Sequence, residues 1–86
     1  MRLLWSDEGW EDYLSWQSGD NKTLRRLNKI INDIRRSPYE GIGKPEPLRG
    51  NWSGWWSRRI DDANRVIYRI NKGAVEIHHC RGHYDD

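Results

Sequence analysis

Residues 55–80 run WWSRRI-DDAN-RVIYRI-NKG-AVEIHHC, and this stretch decides the architecture. Three segments rich in β-branched and aromatic residues are separated by two short polar turns, Asp61-Asp62-Ala63-Asn64 and Asn71-Lys72-Gly73. That spacing predicts an antiparallel meander with strands over residues 55–60, 65–70 and 74–80. In the middle strand Val66, Tyr68 and Ile70 share one face while Arg65, Ile67 and Arg69 share the other. In the last strand Val75, Ile77 and His79 alternate with Glu76, His78 and Cys80. An apolar sheet face needs a cover, and the upstream sequence supplies one.

Residues 2–5 read as a short first strand. Ser6 is a good helix N-cap, followed by acids in the first turn, where the helix dipole favours them. Trp5 and Trp10 then stand at the spacing of a hydrophobic staple, and Trp10, Tyr13, Leu14 and Gln17 trace one face at helical spacing. Gly19 ends this helix and Asp20 caps the next. The second helix, about residues 21–36, carries the apolar stripe Leu24, Leu27, Ile30, Ile31 and Ile34, with Lys22, Arg25, Arg26, Lys29, Arg35 and Arg36 on its other face. Ser37-Pro38 stops it. Residues 38–48 hold three Pro and two Gly and read as a loop. The expected fold is α+β: two N-terminal helices packed on one face of a small, mainly antiparallel sheet, in a single domain spanning residues 1–86, with an arginine-bearing face left open.

Composition is consistent with a small folded unit. Only 35% of the 86 residues are hydrophobic, Phe is absent and mean hydropathy is −1.09, but six Trp and four Tyr compensate. Each large aromatic buries ~150–250 Å², or about 4–6 kcal/mol at ~25 cal/mol per Å² as an upper bound. The longest apolar run is too short for a membrane span, and no continuous apolar segment near the start resembles a secretory signal. The lone Cys80 cannot form an internal disulfide, so a reducing cytoplasm is expected. Net charge is only +2, but its distribution is uneven. Asp7, Glu8, Glu11 and Asp12 cluster early, whereas Lys44, Arg49, Arg58, Arg59, Arg65 and Arg69 face three acids over residues 44–69. Arginine, whose planar fork suits phosphate, interleaved with Trp points toward a polyanion partner, against the alternative of a merely solvated sheet face.

Two segments carry potential chemistry. In Lys44-Pro45-Glu46-Pro47, proline on both sides holds Glu46 in extended backbone, the rigid placement a general base needs; otherwise Glu46 is a polar loop residue. In Arg81-Gly82-His83-Tyr84, His83 can donate a proton near neutrality and Tyr84 can stack on a base, the alternative being a solvated tail. A carboxylate, arginines and a histidine together suit phosphodiester transfer: a base deprotonates a ribose 2′-hydroxyl, an arginine stabilises the phosphorane-like transition state, and an acid protonates the departing 5′-oxygen. No metal and no cofactor is expected, because strand alternation turns His79 away from His78 and Cys80. Cys80 reads as packing. Of Trp52, Trp55 and Trp56, one or two are expected inside and one presented.

The chain resembles the YoeB branch of the RelE superfamily, the toxins of type II toxin–antitoxin pairs. The likeness runs from Leu3-x-Trp5-Ser6 and Trp10-x-Asp12-Tyr13-Leu14 through Gly43-Lys44-Pro45-Glu46-Pro47-Leu48, Trp56-Ser57-Arg58-Arg59-Ile60 and Arg65-x-x-Tyr68 to Cys80-Arg81-x-His83-Tyr84. The resemblance implies a ribosome-dependent mRNA endonuclease, cutting in the A site without metal, on a microbial-ribonuclease-like fold. It implies Glu46 as general base, His83 as general acid, Arg65 as transition-state stabiliser and Tyr84 as substrate-orienting residue. Arg49, Arg59 and Lys44 would contact RNA, with Arg49 standing where family members often carry Lys. The implied partners are a YefM-like antitoxin with an acidic segment, the ribosome with its mRNA, and a second copy in a homodimer. A member of the same fold that binds RNA or antitoxin without cleaving is the alternative.

Overall fold

Both helices begin at the caps the sequence offers. Ser6 Oγ accepts the Gly9 amide at 2.9 Å and opens α1 (Asp7–Gln17), and Asp20 accepts the Lys22 amide at 2.9 Å and opens α2 (Asn21–Arg36). The structure, a computed structural model, describes residues 1–83. Its strands are β1 (Arg2–Trp5), β2 (Glu46–Pro47), β3 (Trp56–Arg59), β4 (Arg65–Asn71) and β5 (Ala74–His79), in one sheet ordered β1-β5-β4-β3-β2. Neighbours β5, β4, β3 and β2 are antiparallel, and β1 runs parallel to β5. This is the expected α+β arrangement.

α2 buries Leu27, Ile30, Ile31 and Ile34 against Val66, Tyr68, Val75 and Ile77, with Trp16, Ile60 and Cys80 closing the core. No helix among the described residues is long and apolar enough to cross a membrane. Burial pushes the Cys80 thiol up to about 12, in keeping with a packing role.

Three expectations are corrected. First, the Trp10, Tyr13, Leu14 and Gln17 face of α1 is only partly covered: Tyr13 packs on the core, but Trp10 and Leu14 are exposed, and the helix is buried at Gly9 and Trp16. Gly9 sets that choice, since a Cβ there would stand 2.8 Å from the Ile77 carbonyl oxygen. Trp10 instead packs edge-on to Trp5, ring centroids 5.7 Å apart, as the staple predicts. Second, residues 38–48 are not all loop. Glu46 and Pro47 form the edge strand β2, paired with Ser57 and Trp56, and an edge is where a proline is tolerated in a sheet.

Third, Arg58 does not belong to an exposed basic face. It is fully buried on the helix side, where Nη1 lies 2.6 Å from Asp33 Oδ2 and donates to the Ile42 carbonyl, Nη2 donates to the Ser37 and Glu40 carbonyls, and Nε donates to the Tyr68 hydroxyl. The Tyr68 hydroxyl in turn donates to the Pro38 carbonyl. The Arg58 guanidinium holds the Asp33 carboxyl below its ordinary range, with hydrogen bonds from the Ile42 amide and Arg36 adding to the effect against desolvation. Gly41 is required here, because a Cβ would lie 2.0 Å from Asp33 Oδ2 and its φ is +129°. These contacts fasten residues 37–43 to the sheet and so fix where β2 starts.

Candidate active site

Cross-strand partners in an antiparallel sheet project on the same side, so the register defines the face turned away from the helices. Glu46 pairs with Ser57, Ser57 with Ile67, and Arg59 with Arg65. Glu46, Arg59 and Arg65 therefore share that face. Arg65 lies two strand spacings, ~10 Å, across the sheet from Glu46 and two residues, ~7 Å, along it.

Arg59 and Arg65 stand directly opposite each other, a like-charge juxtaposition that destabilises a sheet. Neither has an ion-pair partner among the described residues. Their two forked charges are therefore not neutralised by any carboxylate among the described residues. Arg69, on the same face, is already engaged: Nη2 is 3.1 Å from Glu76 Oε2 and its guanidinium lies 4.5 Å from the Trp55 ring centroid. Of the six bases that the sequence groups together, Arg58, Arg69 and, more loosely, Lys44 thus have carboxylate partners within the chain.

Lys44 has a positive φ of 53° and its Nζ is 3.7 Å from Glu46 Oε1, with both side chains substantially exposed. Its ammonium lies beside the carboxylate at the mouth of the site. The preceding turn is held down by the Arg59 amide, which donates to the Gly43 carbonyl at 2.6 Å. Arg49 is exposed just before a short 3-10 turn, Gly50–Trp52.

Residues 80–82, just beyond β5, are each tied down. The Cys80 amide donates to Asp12 Oδ2 at 3.0 Å, and Trp16 Nε1 donates to the Cys80 carbonyl at 3.0 Å. Arg81 lies over the Trp16 ring at 4.3 Å and donates to Ser15 Oγ at 2.7 Å. The Gly82 amide donates to Asn64 Oδ1 at 2.8 Å, and the Arg65 amide donates to the Gly82 carbonyl at 3.0 Å. The segment is therefore not a free tail. It is delivered to the start of β4, so His83, which is exposed, follows a residue bonded to the backbone of Arg65. Tyr84, Asp85 and Asp86 lie outside the described residues.

The part that Asp12, Trp16 and Asn64 play in anchoring this segment is absent from the sequence expectation. A polar residue on a helix and a turn asparagine carry no local mark of a partner some 18 to 68 residues away. A further correction concerns β5. Its pairing with β4 shifts at Ile67/Tyr68, so alternation fails at the strand end and His78 does not point away from His79; their Nδ1 atoms are 3.1 Å apart. Trp52 and Trp55 pack edge-on against His78, whereas Trp56 packs on the core.

Comparison with known proteins shows which class of chain carries this small sheet, its two N-terminal helices and its arginine- and carboxylate-bearing face. The family described as YoeB-like toxin of bacterial type II toxin-antitoxin system matches residues 5–84. A toxin YoeB of Escherichia coli is 50% identical over 84 residues, covering 98% of this chain and all of that protein. The structure of a YoeB/ParE toxin from Agrobacterium tumefaciens superposes with a TM-score of 0.92 at 42% identity, over 98% of this chain and 100% of that one. Staphylococcus aureus YoeB, solved as a dimer and in a heterotetrameric complex with YefM, superposes with a TM-score of 0.88 at 35% identity, over 98% of both chains. The chain belongs to the YoeB-like toxin family of type II toxin-antitoxin systems.

Proposed function

We propose that the protein is an endoribonuclease that cuts mRNA in the ribosomal A site by proton transfer between amino-acid side chains. Glu46 removes the 2′-hydroxyl proton and the 2′-oxygen attacks the adjacent phosphorus. Arg65 stabilises the added negative charge, the bond to the 5′-oxygen breaks, and His83 protonates that oxygen, leaving a 2′,3′-cyclic phosphate. Arg59, Arg49 and Lys44 hold flanking phosphates, and Tyr84 orients the base. The observation that carries this reading is the Arg59–Arg65 couple, without an ion-pair partner among the described residues, on the same face as Glu46, with the segment that leads to His83 bonded to Arg65 through Gly82.

The cationic face suits two further partners: ribosomal RNA, with salt-sensitive affinity, and an acidic YefM-like antitoxin segment that folds as it binds. A homodimer is part of the same reading, after the Staphylococcus aureus relative. The site of action is the cytoplasm, where ribosomes are.

The test is mapping of mRNA ends on purified translating ribosomes. Glu46→Ala and His83→Ala should each reduce cutting by about 10²–10⁴-fold, and cutting should persist in EDTA when polyamine keeps the ribosomes intact. Wild-type cutting by both variants would overturn the roles given to Glu46 and His83, and no cutting by the native chain would leave a protein that binds without cleaving.

A further inference from the structure

Where β5 ends, the bulge at Ile67/Tyr68 brings consecutive imidazoles to one side, with His78 Nδ1 and His79 Nδ1 3.1 Å apart. The first turn of α1 is pressed onto the same place. The Ser6 amide donates to the Ile77 carbonyl at 3.0 Å, the Ser6 hydroxyl donates to the His78 carbonyl, and Gly9 has no Cβ to hold the helix off. Glu8 is thereby carried over the pair: its Oε2 is 3.4 Å from His79 Nδ1 and 3.8 Å from His78 Nδ1. All three potential ligand atoms lie within 4.8 Å of one another.

A hydrogen bond accounts for one edge of this triangle, the 3.1 Å imidazole pair. The two carboxylate edges are long for hydrogen bonds, yet all three fit a metal. Ligand atoms ~2.0–2.1 Å from a tetrahedral ion are ~3.3–3.4 Å apart, and the observed edges of 3.1, 3.4 and 3.8 Å bracket that value. Two imidazole nitrogens and one carboxylate oxygen select a borderline transition metal over magnesium or calcium, and they leave a fourth position open. The rings of Trp52 and Trp55, at 4.9 and 5.4 Å from His78, wall the site on its apolar side.

We infer that Glu8, His78 and His79 form a three-ligand zinc site, its fourth position taken by water, that clamps the start of α1 to the end of β5. His79 lies in the same cross-strand row as Glu46, through Ile67 and Ser57, three strand spacings or ~14 Å away. The ion is therefore remote from the scissile phosphate of the proposed reaction and takes no part in it.

Untagged protein stripped with chelator is titrated with zinc chloride by calorimetry, and separately with cobalt chloride by visible absorption. One zinc per chain, the intense absorption of four-coordinate cobalt and a raised Tm are expected. Glu8→Gln should weaken zinc binding at least about tenfold, and His78→Ala should abolish it. Both altered side chains are solvent-accessible, so the variants should fold, as circular dichroism verifies. His83→Ala should leave the stoichiometry at one, because His83 is not a ligand. The inference is overturned by absence of saturable uptake, by full uptake in both Glu8→Gln and His78→Ala, or by loss of uptake in His83→Ala.

Discussion

Arg58 and Arg59 are consecutive residues of one strand, and they live in opposite worlds. Arg58 points to the helix side, fully buried, with Asp33, three backbone carbonyls and the Tyr68 hydroxyl satisfying its guanidinium. Arg59 points to the other side, exposed, opposite Arg65, and among the described residues no carboxylate neutralises either. Alternation alone separates them. The buried cation organises the protein, and the exposed one is left for something outside it. The contrast teaches that a basic tract in sequence is two populations once folded, and only the population without internal partners is available to an anion.

The comparison breaks most visibly on the buried side. Arg58→Met leaves Asp33 without its principal counter-charge and should cost about 3–5 kcal/mol in urea unfolding, enough to leave the fold marginal. An unchanged urea midpoint would dissolve the distinction. On the exposed side, Arg65→Ala should lower ribosome-dependent cutting by about 10²-fold while the Tm moves little. Loss of fold instead would make Arg65 a second Arg58.

A smaller effect comes with acid. Because Asp33 has a lowered pKa in the folded state, the stability it contributes is present above its unfolded pKa of ~3.9 and is lost as pH falls through the folded value. A Tm profile below pH 5 should therefore be steeper for the native chain than for Arg58→Met. The smallest expected change is favourable: Arg59→Thr relieves the opposed charges and should stabilise by about 0.5 kcal/mol, or about 2–4 °C, at the expense of RNA affinity. A lower Tm would mean that the two arginines are not in conflict.

Much of the fold is legible in the chain because it is written locally. Ser6 and Asp20 announce both helices, and the turns at 61–64 and 71–73 announce the meander. What escapes is decided by partners distant in sequence. The buried side of α1 depends on the close approach of Gly9 to the Ile77 carbonyl, which a hydrophobicity pattern centred on Trp10 and Leu14 cannot register. β2 exists because β3 offers it an edge, not because Glu46-Pro47 has strand propensity. Glu46, Arg59 and Arg65 can be named from their residue types and neighbours, but their common face follows from register. The pairing of His78 with His79 depends on a one-residue slip that no alternation rule contains.

The parallel pairing of β1 with β5 has a consequence for assembly order. The β3, β4 and β5 segments meet across turns of a few residues, whereas the contact between Ser6 and His78 spans 72 positions. Closing so long a loop is entropically late, so the hairpins can condense before the first strand arrives. Until it does, β5 presents a bare edge to any other unfinished chain. In native-state hydrogen exchange, the amides of β1 should open ahead of those of β4, marking the N-terminal strand as the latch that shuts last and lifts first.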